Sequence, residues 1–266
     1  MGILLHFNLF KTYLSYNFDM IKVLKTQRIR FISNVIWLLE YTLFYPKLRK
    51  VLLKLPRRNS KTIIFDVGAN RGQSVKFYSK IFTGATILSF EPSPRIFATL
   101  KKLEIENFQP FNLGLSAVKG TSTFYESMLD EASTFDLPDL LSEWHKTKSR
   151  ILGVSKESMY SPITVEINTI DNLVVDKSIQ NIFLLKIDVE GHEMKVLEGA
   201  KLSLEKRIIQ NIQIERHADD LRDSHEEEIS SLLTQNGFRC LVSIRHSIGN
   251  FYEDIFALED YQCSIH

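Results

Sequence analysis

From residue 62 onward, short apolar runs alternate with stretches of helical periodicity, the pattern of βαβ units around a parallel sheet. Strands are expected at Thr62–Val67, Thr86–Phe90, Gln109–Leu113, Ile182–Ile187 and Asn211–Glu215, with helices near Gln73–Phe82, Pro94–Glu104 and His192–Lys206. Ile63-Ile64-Phe65 and Ile182-Phe183-Leu184-Leu185 are continuously apolar, as strands covered by helices on both faces must be. Both are therefore assigned to the sheet centre. Residues 116–170 break the rhythm. β-rich pieces at Thr121–Tyr125 and Ile163–Asn168 flank a polar stretch from Met128 to Ser161, which reads as an insertion over the sheet where a substrate lid sits. A helix near Glu226–Asn236 and strands near Arg239–Ile244 and Asp254–Leu258 finish the sheet as an antiparallel pair. The fold class is thus α/β, a Rossmann-like sheet over residues 61–266, and the polar, Pro-initiated segment Pro56-Arg57-Arg58-Asn59-Ser60 separates it from an N-terminal extension, residues 1–60.

Composition changes this picture little: 266 residues, 44% hydrophobic and 24% charged, describe one main globular core and exclude wholesale disorder. Charge changes it more. Residues 1–60 hold eleven Lys and Arg against Asp19 and Glu40, a local +9 on a chain whose total is +1. A basic helical start on an acidic body marks either a solvated outer face or peripheral association with an anionic membrane. The most apolar early stretch, Phe31 to Tyr45, is broken by Asn34 and Glu40 and falls short of the roughly 20 residues of a membrane span. The start Met1-Gly2-Ile3-Leu4-Leu5-His6 has no charged region before its apolar residues, a poor signal peptide. Cys240 and Cys263 form neither a metal-ligand spacing nor a disulfide framework, so no metal ligand is assigned, metal dependence stays open and a cytoplasmic location is the default. The aromatics Phe31, Trp37, Tyr41, Phe44 and Tyr45 lie at roughly helical spacing and read as core rather than as a base-stacking platform, so no nucleic-acid partner is expected.

The candidate chemistry begins where the first strand runs into Asp66-Val67-Gly68-Ala69-Asn70-Arg71-Gly72 and a helix. Glycines there allow a tight turn and close backbone approach to a ligand. Glu91, 19 residues beyond Gly72 at the end of the next strand, stands where a nucleoside ribose is gripped through its hydroxyls. A dinucleotide fingerprint is nevertheless incomplete: Asn70 replaces the middle glycine and the third is missing. Asp66 would also repel a pyrophosphate at the helix start, whereas a ligand bearing an ammonium and a sulfonium tolerates it.

These motifs, together with Phe90-Glu91-Pro92-Ser93-Pro94, Asn112-Leu113-Gly114-Leu115-Ser116, Thr169-Ile170-Asp171 and Lys186-Ile187-Asp188-Val189-Glu190-Gly191-His192-Glu193, resemble the FkbM methyltransferase family over roughly residues 62–215. The resemblance implies a class I methyltransferase fold and methyl transfer from S-adenosylmethionine to a hydroxyl oxygen of a sugar, a glycan or a related small molecule. It also implies that Asp66, Gly68, Asn70 and Gly72 face the methionine end of the cofactor, that Glu91 faces its ribose, and that Asn112 through Ser116 approach the adenine. Gly114 stands where the family more often has Ala. Residues 1–60 inherit nothing from it.

Methyl transfer to an alcohol needs an aligned acceptor and a group to take its proton. Asp188, at the carboxyl end of the strand beside the cofactor strand, is the first candidate, and it also borders the cofactor. Glu190 follows in the loop aimed at the crevice. His192 reads equally as base or helix cap, Glu193 as a helix-start acid. Glu215 and His217 end the next strand as a second acid/base pair. Lys186, charged within an apolar strand, needs a carboxylate or the substrate as partner. Asp171 reads as a helix start. Two rivals remain open at this point: an NAD-dependent sugar oxidoreductase, against which the missing glycine and the lack of a Tyr-x-x-x-Lys pair count, and a non-catalytic scaffold that keeps the cofactor pocket. The oligomeric state is not legible.

Overall fold

The computed structural model describes residues 39–57, 61–127, 133–136, 160–217, 223–247 and 251–259. The expectations for residues 1–38, for most of the polar stretch 128–161 and for Cys263 lie outside them. A π-helical turn, Glu40–Phe44, leads into α1 (Tyr45–Leu52), followed by β1 (Ile63–Val67), α2 (Gln73–Ile81), β2 (Thr86–Phe90), α3 (Pro94–Leu100) and β3 (Phe108–Phe111). Next come β4 (Gly114–Leu115), β5 (Gly120–Ser127), β6 (Tyr160–Asn168), α4 (Ile170–Asp176), β7 (Ile182–Ile187), α5 (Glu193–Glu198) and α6 (Lys201–Glu205). The chain closes with β8 (Ile209–His217), α7 (Asp223–Gln235), β9 (Phe238–Arg245) and β10 (Phe251–Leu258).

The main sheet has seven strands in the order β3-β2-β1-β7-β8-β10-β9. Strands β3 to β8 in that order run parallel, and β10 is antiparallel to both β8 and β9. This is the expected Rossmann-like class I methyltransferase sheet, with β1 and β7 at its centre. Both are buried along their whole length, which explains their continuous Ile, Leu and Phe. Alternate side chains feed two cores. Phe65, Val67, Phe90, Leu185 and Ile187 pack with Leu173, Val196, Leu204 and Leu233 of α4 to α7. Ile64, Ile87 and Leu184 pack on the other face with Val75 and Tyr78 of α2, Leu100 of α3 and Phe44, Leu48 and Leu52 of the N-terminal segment. Each such buried side chain is worth about 1.5–3 kcal/mol of transfer free energy, so α1 is tied into the core of the sheet. A smaller sheet of order β4-β6-β5 occupies the inserted region.

The expected helix His192–Lys206 is in fact two, α5 and α6, broken at Gly199 and Ala200. Gly199 lies against the backbone of Ser116, where a Cβ would stand 2.1 Å from the carbonyl oxygen. The carboxylate of Asp171 then accepts from Leu202 N–H and Ser203 N–H at 2.8 Å each and so starts α6. Its own helix, α4, is capped instead by Thr169 Oγ1, which accepts from Asn172 N–H at 3.0 Å. Among the described residues no helix is long and apolar enough to cross a membrane.

Candidate active site

Ligands collect at the carboxyl ends of parallel strands, and there the chain gathers most of its buried charge. Beyond β1, Gly68 adopts φ +79°, and its N–H and that of Ala69 donate to Phe90 C=O at 3.0 and 3.1 Å. A Cβ on Gly68 would stand 1.8 Å from the Asp188 carbonyl oxygen, so the turn after β1 and the end of β7 touch backbone to backbone and only glycine fits. Asn70 has φ +47°, and Gly72, at φ +82°, begins α2.

Glu91 is 4% exposed. Its Oε2 accepts from Asn70 N–H at 3.0 Å and its Oε1 from Ser93 N–H at 2.9 Å. Burial pushes its pKa up to about 7, against the opposing pull of the two backbone N–H groups. Asn112 lies directly beneath, its amide donating to the carbonyls of both Glu91 and Pro92 at 2.9 Å. Its role in this arrangement is to hold the turn that presents Glu91. Ser93 caps α3 by accepting from Ile96 N–H at 3.1 Å, and Pro94 at the first helical position suits that start.

Under the glycine turn a row of polar side chains crosses four adjacent strands in register: Ser89, Asp66, Lys186 and Gln213. All share the face that meets α2. Asp66 is fully buried; its Oδ2 accepts from Ser74 Oγ at 2.7 Å and Ser89 Oγ at 3.1 Å. Lys186 Nζ lies 3.5 Å from Asp66 Oδ1 and donates to Gly68 C=O at 3.2 Å and Asp188 Oδ2 at 2.9 Å. Burial pulls the Lys186 pKa down, but Asp188 and Asp66 outweigh it and hold the ammonium charged, above its ordinary value. One buried lysine thus ties together the β1 acid, the glycine turn and the β7 acid. Gln213 continues the row to Tyr78 OH, which donates to its Oε1 at 2.9 Å, and to Glu253, which accepts from its Nε2 at 3.1 Å.

Asp188, about a third exposed at 31%, opens toward Glu190 and Glu215, whose ligating atoms and its own lie within 4.8 Å of one another. Burial, then the negative charges of Asp188, Glu253 and Glu190, raise the Glu215 pKa well above the carboxylate range, and its carboxyl hydrogen-bonds Asp188. His217 ends β8, and its side chain lies outside the described residues. His192 is directed elsewhere. Its Nε2 is 3.0 Å from Ser116 Oγ, its Nδ1 3.5 Å from Asp136 Oδ2, and its ring packs on Phe135 at 4.7 Å. With Thr134 Oγ1 donating to Glu190 C=O at 3.0 Å, this fastens the inserted segment to the loop before α5. Glu193 accepts from Gly191 N–H at 3.0 Å, and burial raises its pKa.

The residues thus converge as two groups. Asp66, Gly68, Asn70 and Glu91 surround the turn, joined through Lys186 to Asp188, Glu190 and Glu215. Ser116 and His192 form a separate buried pair. The partners missed from sequence are Glu253, His246 and Glu40. His246 Nδ1 lies 3.4 Å from Glu40 Oε2, and its Nε2 lies 3.8 Å from both Glu215 Oε1 and Glu253 Oε1. The histidine follows a strand end as His217 does, but its partner Glu40 is about 200 positions away in sequence, and no spacing rule reaches that far.

The turn fits the implied cofactor on one direct observation: Asn70 Oδ1 is a buried acceptor with no hydrogen-bond partner, and the two acids Asp66 and Asp188 outnumber the single Lys186 ammonium between them.

Residues 66–240 match the family described as "Methyltransferase FkbM domain". Among curated proteins the chain is similar to 2-O-methyltransferase NoeI of Sinorhizobium fredii, 26% identical over 147 residues, covering 54% of this chain and 59% of that protein. It is also similar to hexuronic acid methyltransferase AglP of Haloferax volcanii, 26% identical, covering 58% of this chain and 56% of that one. A third relative, 31-O-demethyl-FK506 methyltransferase FkbM of Streptomyces tacrolimicus, is 27% identical, with 52% and 59% covered. The matches thus span 56 to 59% of the length of these relatives. Among solved structures, methyltransferase FkbM from Methylobacillus flagellatus aligns with a TM-score of 0.49 and 12% identity, over 77% of this chain and 47% of that one.

Proposed function

The chain belongs to the FkbM methyltransferase family, and from that premise we propose that it transfers a methyl group from S-adenosylmethionine to a hydroxyl oxygen of a sugar, glycan or related small molecule. The observation that supports this reading is the Lys186 tie, which joins the glycine turn, to which Glu91 is itself bonded, to the Asp188 carboxylate. The methyltransferase domain in this reading is residues 61–266, and residues 1–60 are its N-terminal extension.

When bound, S-adenosylmethionine supplies a methyl carbon on a sulfonium that departs as a neutral thioether. Gly68 and Asn70 hold its methionine end, Asp66 supports them from beneath the turn, Gly72 starts the helix that follows, and Glu91 accepts from its ribose hydroxyls. Asn112 acts indirectly, through the Glu91–Pro92 backbone, and Ser116 through His192 and the loop after β7. Asp188 accepts the acceptor's hydroxyl proton as the oxygen lone pair becomes the new C–O bond. Lys186 holds one Asp188 oxygen at 2.9 Å and Glu215 hydrogen-bonds the same carboxylate, so both fix it beside the opening where that proton arrives. Glu215 and Glu190 share the opening with Asp188, His192 acts by fastening the loop before α5, and His217 is an acid/base candidate by its place at the end of β8. The acceptor class rests on two relatives' names: NoeI is a 2-O-methyltransferase and AglP a hexuronic acid methyltransferase.

The described end of the extension also supports a cytoplasmic protein held peripherally at an anionic membrane. Lys47, Arg49 and Lys50 are exposed beside Tyr41 and Leu43, while Phe44 and Leu48 bury the opposite face. Asp188→Asn tests the chemistry. It is expected to keep binding of S-adenosylhomocysteine within a few-fold while methyl transfer to a panel of sugar acceptors falls by about 10²–10⁴. Undiminished transfer would remove Asp188 from the role.

A further inference from the structure

Beside the methyl-transfer site lies a second group of ligating side chains. β8 and β10 place Glu215 and Glu253 directly opposite each other in antiparallel register, an acid pair that is relieved either by protonation of one member or by a positive group between them. His246 faces both, and its setting is specific. The ring stacks on Phe44 at 3.9 Å and 22°, and Nδ1 is directed at Glu40 Oε2. Glu40 is itself fixed by Ser247 N–H, which donates to its Oε1 at 2.9 Å. With Nδ1 turned to Glu40, Nε2 is the ring nitrogen that faces the two carboxylates. That Nε2 atom is buried and has no hydrogen-bond partner, and at 3.8 Å it is beyond hydrogen-bond reach of both carboxylates. The three ligating atoms lie within 4.8 Å of one another. A cation roughly 2.3 Å from each ligand holds neighbouring ligands about 3.3–3.9 Å apart.

We propose that Glu215, His246 and Glu253 bind a divalent first-row cation of the manganese class, with Glu40 as the acid that orients the histidine. Mixed imidazole and carboxylate ligands select such an ion over an all-oxygen site for calcium. Glu215 also belongs to the group formed with Asp188 and Glu190. The ion therefore lies next to the carboxylate assigned to the acceptor's proton, where a Lewis acid lowers the pKa of a hydroxyl. That role rests on the methyltransferase reading; the binding does not.

The experiment is a calorimetric titration of the metal-stripped full chain with Mn²⁺, without donor or acceptor, accompanied by pulsed electron paramagnetic resonance. The expected result is one saturable site whose spin echo carries modulation from an imidazole nitrogen. His246→Gln and Glu253→Gln are expected to weaken it by about tenfold or more, while Glu226→Gln, whose acid pairs with Arg216, leaves it unchanged. No saturable binding, no nitrogen coupling in the wild-type spectrum, or equal affinity in folded His246→Gln overturns the proposal. A protein that binds Mn²⁺ but not S-adenosylhomocysteine would instead refute the methyltransferase reading and leave the site standing.

Discussion

Cofactor binding should release a proton, and the amount follows from Glu91. Burial holds this carboxyl at about 7 instead of 4.5, so it is about one-tenth ionised at pH 6, half at pH 7 and nine-tenths at pH 8. Both of its oxygens already accept backbone N–H groups, and a ribose diol adds two further donors, which only the carboxylate satisfies. Binding therefore selects the ionised form and expels whatever proton is present: about 0.9 per site at pH 6, 0.5 at pH 7 and 0.1 at pH 8. The apparent Kd accordingly weakens about fivefold from pH 7 to pH 6. The same shift acts on stability. With the folded-state pKa raised, the folded protein holds more protons than the unfolded chain between about pH 4.5 and 7. Stability is thus lost as pH rises through that window, by about 3 kcal/mol at 1.36 kcal/mol per unit. Calorimetry of S-adenosylhomocysteine in two buffers of different ionisation enthalpy measures the proton count. A count near zero across pH 6–8, or one unchanged in Glu91→Gln, would refute the reasoning.

Gly68→Ala puts a Cβ 1.8 Å from the Asp188 carbonyl at a positive φ; the strained backbone alone costs about 1–3 kcal/mol. Denaturant unfolding should show at least that loss, with S-adenosylhomocysteine binding abolished. Lys186→Met leaves buried Asp66 without its cation and should destabilise by about 3–5 kcal/mol. The double variant Lys186→Met with Asp66→Asn should recover part of it, and strictly additive losses would argue against their coupling.

The parts of this architecture legible in the sequence are those set by local pattern. β2 and β7 have the expected ends because each apolar run stops at a charged or turn residue, Glu91 and Asp188. The glycine turn was readable because its tightness is a backbone requirement written as Gly68 and Gly72. What escaped reading depends on contacts distant in sequence. The break between α5 and α6 comes from Gly199 meeting Ser116, and the turning of His192 away from Asp188 comes from Phe135 and Asp136 of the insertion. Lys186 announced itself as a charge in an apolar strand, but that it serves three partners follows only from the register of β1, β2 and β7. The Glu40–His246–Glu253 group is invisible in sequence because no motif places the turn Glu40–Phe44 against the end of β9.

The most direct test of the central claim is a side-by-side titration of the purified chain with S-adenosylhomocysteine and with NAD. The chain should bind the first saturably, lose that binding in Gly68→Ala, and bind none of the second. Binding of NAD without S-adenosylhomocysteine would contradict the claim.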